Sequence, residues 1–289
     1  MQEFELHSPK TLTEAYDFLE KKGGKIIAGG TDVIPQLANG RFRTELLVDI
    51  SYLSELSYIK QEGELIHIGG LTNYSLMINS TLLQTSAPLL VEAAASVGAV
   101  QTQNRGTLAG NLGNASPAGD MLPPLLALDA VVTLTNRNGE RQVPLAEFLL
   151  GPGKTALSQG EIIHHVSFNT LDPETRSTFI KAGNRKGMAI SVVNTAVLLL
   201  IDSSESVKDI RISLGAVAPT PIRCPKAEAV LLGKKITQDL LEESAAVAAA
   251  ECSPISDLRA SADYRRHAAE VLVKRGIQQC LNSETGEGS

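Results

Sequence analysis

Apolar residues recur at helical spacing in a few stretches of this chain and in short runs in many others, with glycine, proline and asparagine between them. Leu12, Ala15, Phe18 and Leu19 share one helical face. That helix opens at the capping box Thr11-Leu12-Thr13-Glu14, whose polar side chains satisfy amides left unpaired by the first turn, and it ends at Gly23-Gly24. Short apolar runs at Ile26-Ile27, 46–50 and 65–68 predict strands. Residues 88–97 predict a helix, with Pro88 in its first turn and Gly98 as its stop. The runs 130–135 and 141–144 flank Asn138-Gly139, a hairpin signal because both residues tolerate positive φ. Leu171-Asp172-Pro173-Glu174 then marks a boundary. Beyond it, 178–182, 191–201 and 207–217 predict an antiparallel meander that turns at Ser203-Ser204-Glu205. Helices predicted at 226–232, 237–250 and 261–281 cover it with their apolar faces. The fold class is α+β. From Asn282 onward the chain is small and polar, and disorder is expected there.

Two glycine-bearing segments carry more than this pattern. Ala28-Gly29-Gly30-Thr31-Asp32 follows Lys25-Ile26-Ile27 and precedes Val33-Ile34. Lacking Cβ atoms, Gly29 and Gly30 can take positive φ and aim successive N–H groups at one point, the geometry of an anion nest. Thr31 adds a hydroxyl. The same residues also suit an ordinary tight turn. The second segment, Gly106-Thr107-Leu108-Ala109-Gly110-Asn111, continues through Leu112-Gly113-Asn114-Ala115-Ser116-Pro117-Ala118-Gly119 to Asp120. So many small and amide side chains cannot build a core, but they can line a groove. The segment is predicted to be long and irregular, either ligand-binding or a solvated surface loop.

Composition excludes several classes of function. With 289 residues at 43% hydrophobic content, the chain can fill the cores of two domains. The longest apolar stretch, around 196–201, is too short to span a bilayer, and no secretory pattern follows Met1. The expected compartment is the cytoplasm. A net charge of −6 without a basic cluster argues against nucleic acid as a partner. Cys224, Cys252 and Cys280 lack the spacing of an iron–sulfur or zinc motif, so no metal site is expected. Strand alternation over 161–168 is expected to put His164 and His165, near Glu161, on opposite faces of a sheet, a poor ligand pair. Gly153-Lys154-Thr155 lacks the upstream glycine of a P-loop, where Phe148 stands, and Pro152 stiffens the only dinucleotide-like fingerprint. Both read as turns.

Three motifs together carry a family resemblance: Ile27-Ala28-Gly29-Gly30-Thr31-Asp32; Arg105-Gly106-Thr107-Leu108-Ala109-Gly110-Asn111-Leu112 with Ala115-Ser116-Pro117 to Asp120; and Lys181-Ala182-Gly183-Asn184-Arg185-Lys186-Gly187-Met188-Ala189-Ile190-Ser191. They resemble the FAD-binding, or medium, subunit of the molybdenum hydroxylase family, which includes xanthine, carbon monoxide and nicotinate dehydrogenases. The resemblance covers nearly the whole chain. It implies a two-part FAD-binding domain of the vanillyl-alcohol-oxidase (PCMH) type over 1–172, divided near 57/58. A C-terminal flavoprotein domain over 173–282 and a tail over 283–289 would follow.

The same resemblance implies that Ile27, Ala28, Gly29, Gly30, Thr31, Asp32, Val33 and Ile34 grip the FAD diphosphate from one side. Thr107, Leu108, Ala109, Gly110 and Asn111 would grip it from the other. Asp120, Ile163 and Lys181 match positions lining the flavin and ribityl region, with Asp120 accepting hydrogen bonds and Lys181 balancing charge on a reduced flavin. No residue is assigned a catalytic role. One departure stands out: Ala109 occupies the place of the first of two adjacent glycines, and its methyl is expected to push the backbone away from the diphosphate. The function implied is an FAD-dependent oxidoreductase subunit of a xanthine dehydrogenase-like heterotrimer. Its partners would be a molybdopterin-binding large subunit and an iron–sulfur small subunit, with NAD or another external acceptor. A scaffold subunit without FAD and a freestanding flavin oxidoreductase are the alternatives.

Overall fold

The computed structural model describes residues 3–22, 24–185 and 187–282, so the tail over 283–289 lies outside the described residues. A small first layer comprises β1 (Glu5–His7), α1 (Leu12–Lys22), β2 (Lys25–Ile27), α2 (Val33–Ala38) and β3 (Leu46–Asp49). Its three strands are parallel in the order β1-β3-β2. The central strand β3 buries Leu46, Leu47 and Val48, as expected for a strand flanked on both edges and packed under α1. Half of the capping box forms: Glu14 N–H donates to Thr11 Oγ1 at 3.2 Å, while the Glu14 carboxylate accepts from Lys10 N–H at 2.8 Å, one residue before the cap. Three residues long and largely exposed, β1 carries no periodic signal and was not predicted.

After a short 3-10 turn at Ser54–Leu56 come β4 (Ile59–Glu62) and β5 (Leu65–Gly69). Six short helices follow: α3 (Tyr74–Ile78), α4 (Thr81–Ser86), α5 (Pro88–Ser96), α6 (Val100–Arg105), α7 (Leu108–Asn114) and α8 (Leu122–Ala127). The second part closes with β6 (Val131–Asn136), β7 (Gly139–Pro144), α9 (Leu145–Phe148), the small hairpin β8 (Leu149–Gly151) and β9 (Lys154–Thr155), and β10 (Ile162–Asn169). The segment expected to be irregular over 106–120 is therefore helical in its first half, at Leu108–Asn114, and irregular only beyond it. Asn73, Ser80 and Thr107 each cap a helix by accepting a backbone N–H from three residues on. Helices of five to seven residues set by such caps escape a search for long periodicity. In the β6–β7 hairpin, Asn136 pairs with Gly139, so Arg137 and Asn138 are the two linking residues.

The five-stranded antiparallel sheet runs β4-β5-β10-β6-β7, and its β10 corrects the reading of the histidines. A bulge between Ile163 and His165 inserts His164 as an extra residue. Both rings consequently meet, with Nδ1 atoms 2.8 Å apart, and His67 of β5 stacks edge-on against His165. Glu161 is engaged elsewhere, in a two-pronged pair with Arg141 at 2.6 and 2.7 Å. Burial pushes His165 down to about 4, with repulsion from His164 and His67 adding to it. A histidine whose folded pKa lies below its unfolded value of about 6.5 binds protons first in the unfolded chain. Stability should therefore fall between pH 7 and pH 5, by about 2 kcal/mol, and level off below about pH 4. Urea melts at the two pH values check this, and His165→Gln should remove most of the difference.

The last part contains β11 (Arg176–Gly183), β12 (Ser191–Ile201), β13 (Val207–Gly215), β14 (Ile222–Arg223), α10 (Pro225–Leu231), α11 (Gln238–Glu251) and α12 (Ala262–Asn282). The four strands form an antiparallel sheet in sequence order. β12 is buried on both faces: Val193, Val197 and Leu199 pack under the helices, whereas Ala196 and Leu198 face the preceding part of the chain. That contact is substantial. Ser213 Oγ donates to the Pro123 carbonyl at 2.5 Å, and Glu92 of α5 accepts from Phe179 N–H at 2.6 Å. No helix among the described residues is long and apolar enough to cross a membrane.

Candidate functional site

The first glycine loop leaves the C-terminal end of β2 and enters α2, with Gly30 at φ +74°. Among the described residues, the N–H groups of Gly29, Gly30, Thr31, Asp32 and Val33 meet no protein acceptor. Five successive unpaired donors around a left-handed glycine make a nest for an anion, because a partly enclosed amide without a partner costs free energy until something accepts from it. Asp32 caps α2 without a side-chain bond. Although exposed by area, its carboxyl is surrounded enough for desolvation to raise its pKa.

The second loop comes to the first through a backbone contact that only glycine permits. A Cβ built on Gly29 would stand 1.7 Å from the Arg105 carbonyl oxygen and 3.1 Å from Gly106 Cα. Gln36 Nε2 adds a bridge to Asn114 Oδ1 at 3.4 Å. Under the junction lies Tyr74, whose ring occupies the space beside Gly106 and whose hydroxyl donates to the Thr107 carbonyl at 3.5 Å. Burial raises the Tyr74 phenol far above its ordinary value, and Asp32 and Asp120 push the same way while Asn111 opposes them. Tyr74 thus stays a neutral donor.

The amides of the second clasp are used differently from those of the first. Leu108 N–H donates to the Thr72 carbonyl at 3.0 Å, Ala109 N–H to the Gly70 carbonyl at 2.9 Å, and Gly110 N–H to Thr107 Oγ1 at 3.1 Å. These bonds hold the start of α7 in place. Leu108 is fully buried, and Ile163 is buried with its Cδ1 near Gly113, so these two contribute packing. What α7 offers a ligand is the exposed Gly110 backbone and the side chain of Asn111, whose buried Oδ1 has no partner. The Ala109 methyl would lie 3.1 Å from a Cβ at Gly70, so it is directed into the packing. Ala109→Gly should accordingly leave FAD affinity within about twofold while costing about 0.5–1 kcal/mol of stability. Fluorescence titration with FAD and a thermal melt test both parts.

Beyond α7 the structure brings Asp120 and Lys181 together. Lys181 Nζ donates to Asp120 Oδ2 at 2.6 Å and to the Ser96 carbonyl at 2.9 Å, and both side chains are largely buried. The other carboxylate oxygen, Oδ1, accepts from Ser191 Oγ at 2.6 Å and from Asn194 Nδ2 at 3.0 Å. Sequence reasoning selected Asp120 and Lys181 separately and missed Tyr74, Ser191 and Asn194. The available signal was the polar interruption Asn194-Thr195 inside an apolar strand.

Unpaired amides with a second chain segment packed against them suit an anionic ligand such as a phosphate. The comparisons specify which. Residues 2–169 match the FAD binding domain in molybdopterin dehydrogenase, and residues 178–280 match the CO dehydrogenase flavoprotein C-terminal domain. The carbon monoxide dehydrogenase medium chain of Hydrogenophaga pseudoflava is 34% identical over 95% of this chain and 96% of its own length. For the xanthine dehydrogenase FAD-binding subunit of Escherichia coli O157:H7 the identity is 32%, over 97% of each chain. A solved structure of carbon monoxide dehydrogenase from H. pseudoflava superposes with a TM-score of 0.93 at 34% identity, covering 97% of this chain and 98% of that one. The chain belongs to the family of FAD-binding medium subunits of molybdenum hydroxylases. Its cofactor is FAD, and it is a subunit of an oxidoreductase.

Proposed function

We propose that this chain holds FAD at the electron exit of a complex with a molybdopterin-binding large subunit and an iron–sulfur small subunit. Residues 1–172 would carry the coenzyme, in two parts meeting near 57/58, and 173–282 would close over it. The observation that carries the reading is the row of unpaired amides from Gly29 to Val33, in a loop packed against Arg105 and Gly106. Those amides bind the diphosphate; Asn111 Oδ1 accepts from a ribityl hydroxyl; Gly110, free of a side chain, lets the coenzyme approach the backbone. Asp120 and Lys181 set the charge beside the flavin.

When bound, FAD would supply the redox chemistry that links an iron–sulfur partner to an external acceptor such as NAD. The chain's own task is to orient that coenzyme and fix its electrostatic surroundings. Relatives named for carbon monoxide, xanthine and glyceraldehyde lie within 31–34% identity of this chain, so the reading places the substrate pocket on another polypeptide. Isolation from the native host under mild conditions tests it. A complex containing flavin, iron–sulfur and molybdenum in fixed ratio, with FAD reducible by NADH, is expected. Substrate turnover by the isolated chain would instead establish a freestanding oxidoreductase. A colourless chain that refuses added FAD would sink the assignment of the nest.

A further inference from the structure

Asp120 is held from a part of the chain that contributes nothing to either glycine clasp. Asn194 and Ser191 sit on β12, on the last sheet, and both are fully buried. Along β12, Asn194 shares the alternation of Ala196 and Leu198, which pack toward the coenzyme-binding part. The strand therefore sends its one amide side chain across the junction to the carboxylate.

The cost of this arrangement is visible. Asn194 Oδ1 is buried without a partner, and a buried unsatisfied carbonyl costs about 1–3 kcal/mol. The neighbouring backbone is shaped to tolerate it, since a Cβ on Gly215 would stand 2.1 Å from that oxygen. An apolar side chain at 194 would carry no such cost. The carbonyl is stranded because the amide nitrogen is aimed at Asp120, at 3.0 Å, beside the Ser191 hydroxyl at 2.6 Å and 3.3 Å from its oxygen.

We propose that Ser191 and Asn194 are positioning residues that set the reduction potential of the bound flavin through Asp120 and Lys181. This rests on the placement of Asp120 and Lys181 beside the flavin in the preceding reading. With two donors on Oδ1, the carboxylate charge is shared and the Lys181 ammonium is held by Asp120 and the Ser96 carbonyl together. Without them, the uncompensated carboxylate draws the ammonium to itself, and the flavin feels a more negative surrounding. A more negative field disfavours the reduced coenzyme.

The test is a spectroelectrochemical titration of the full chain with FAD bound, for the parent, Ser191→Ala/Asn194→Leu and Asp120→Asn. The double variant should lower the affinity for reduced over oxidised FAD about tenfold, equivalent to about 30 mV for a two-electron couple. Asp120→Asn removes the negative charge and should move the potential upward. If Asp120→Asn shifts the potential while the double variant matches the parent, the positioning role is overturned and the site assignment stands. If neither shifts it, the placement of Asp120 at the flavin is wrong, and this inference falls with it. Should the double variant fail to fold, Ser191→Ala alone, which removes only a hydroxyl, carries the same prediction at smaller amplitude.

Discussion

Gly29→Ala is expected to abolish FAD retention and to destabilise the fold by about 3 kcal/mol. The added methyl has no room, because the atoms in its way are the carbonyl oxygen of Arg105 at 1.7 Å, its carbon at 2.5 Å and Gly106 Cα at 3.1 Å. These are backbone atoms at the end of α6, and they cannot rotate aside as a side chain would. Either the nest moves off or α6 and α7 shift together, and both separate the clasps. Separating the clasps should independently raise the FAD dissociation constant by roughly a hundredfold, about 2.7 kcal/mol of binding free energy. The ratio of flavin to protein absorbance after gel filtration measures it directly. Gly113→Ala is the control, since its Cβ would meet only Ile163 Cδ1 at 3.8 Å on an exposed face of α7. There the substitution should stabilise by about 0.5–1 kcal/mol, as alanine favours a helix. Equal loss of flavin from both variants would refute the argument that the two loops need this one close approach.

The second large effect is expected at Asp120. Replacing it by alanine leaves the Lys181 ammonium buried with one carbonyl acceptor, and leaves Asn194 only the Ser191 oxygen while Ser191 loses its carboxylate acceptor. Removing one member of a buried pair costs about 3–5 kcal/mol, because the remaining charge has lost its compensation. Lys181→Met should cost less, since Asp120 keeps the Ser191 and Asn194 donors. Asp120→Ala with Lys181→Met removes both charges, and with no uncompensated charge left buried it should cost less than Asp120→Ala alone. Denaturant unfolding of all four proteins gives the coupling energy as a double-mutant cycle. The pair joins two parts of the molecule, so Asp120→Ala should also reduce the cooperativity of unfolding. A double variant as unstable as Asp120→Ala would show that shape, rather than charge, dominates this contact.

Several elements were legible in the residues themselves, and for local reasons. The Thr11 cap, Pro88 at a helix start and the apolar run over 191–201 each act through neighbours in sequence, which is why their elements appear where the pattern put them. The short helices α3, α4 and α7 were not legible, because their few residues take their register from single caps and tertiary packing, and α6 has neither a side-chain cap nor a buried residue to mark it. His164 shows the same limit in a strand. Alternation holds until one inserted residue resets the faces, and the bulge that does so is fixed by pairing with β6.

By itself the sequence determined the α+β character, the glycine loop with its potential for positive φ, and, through its motifs, the family. Those properties depend on chemistry that each segment carries wherever it lies. Tertiary structure alone decided that Gly29 meets Arg105, that the amides of α7 are already engaged while those after β2 are free, and that Asp120 is shared by Lys181, Ser191 and Asn194. Each of these joins residues tens of positions apart, and a hydrogen bond or a close contact is a matter of distance in space. No spacing along the chain encodes it.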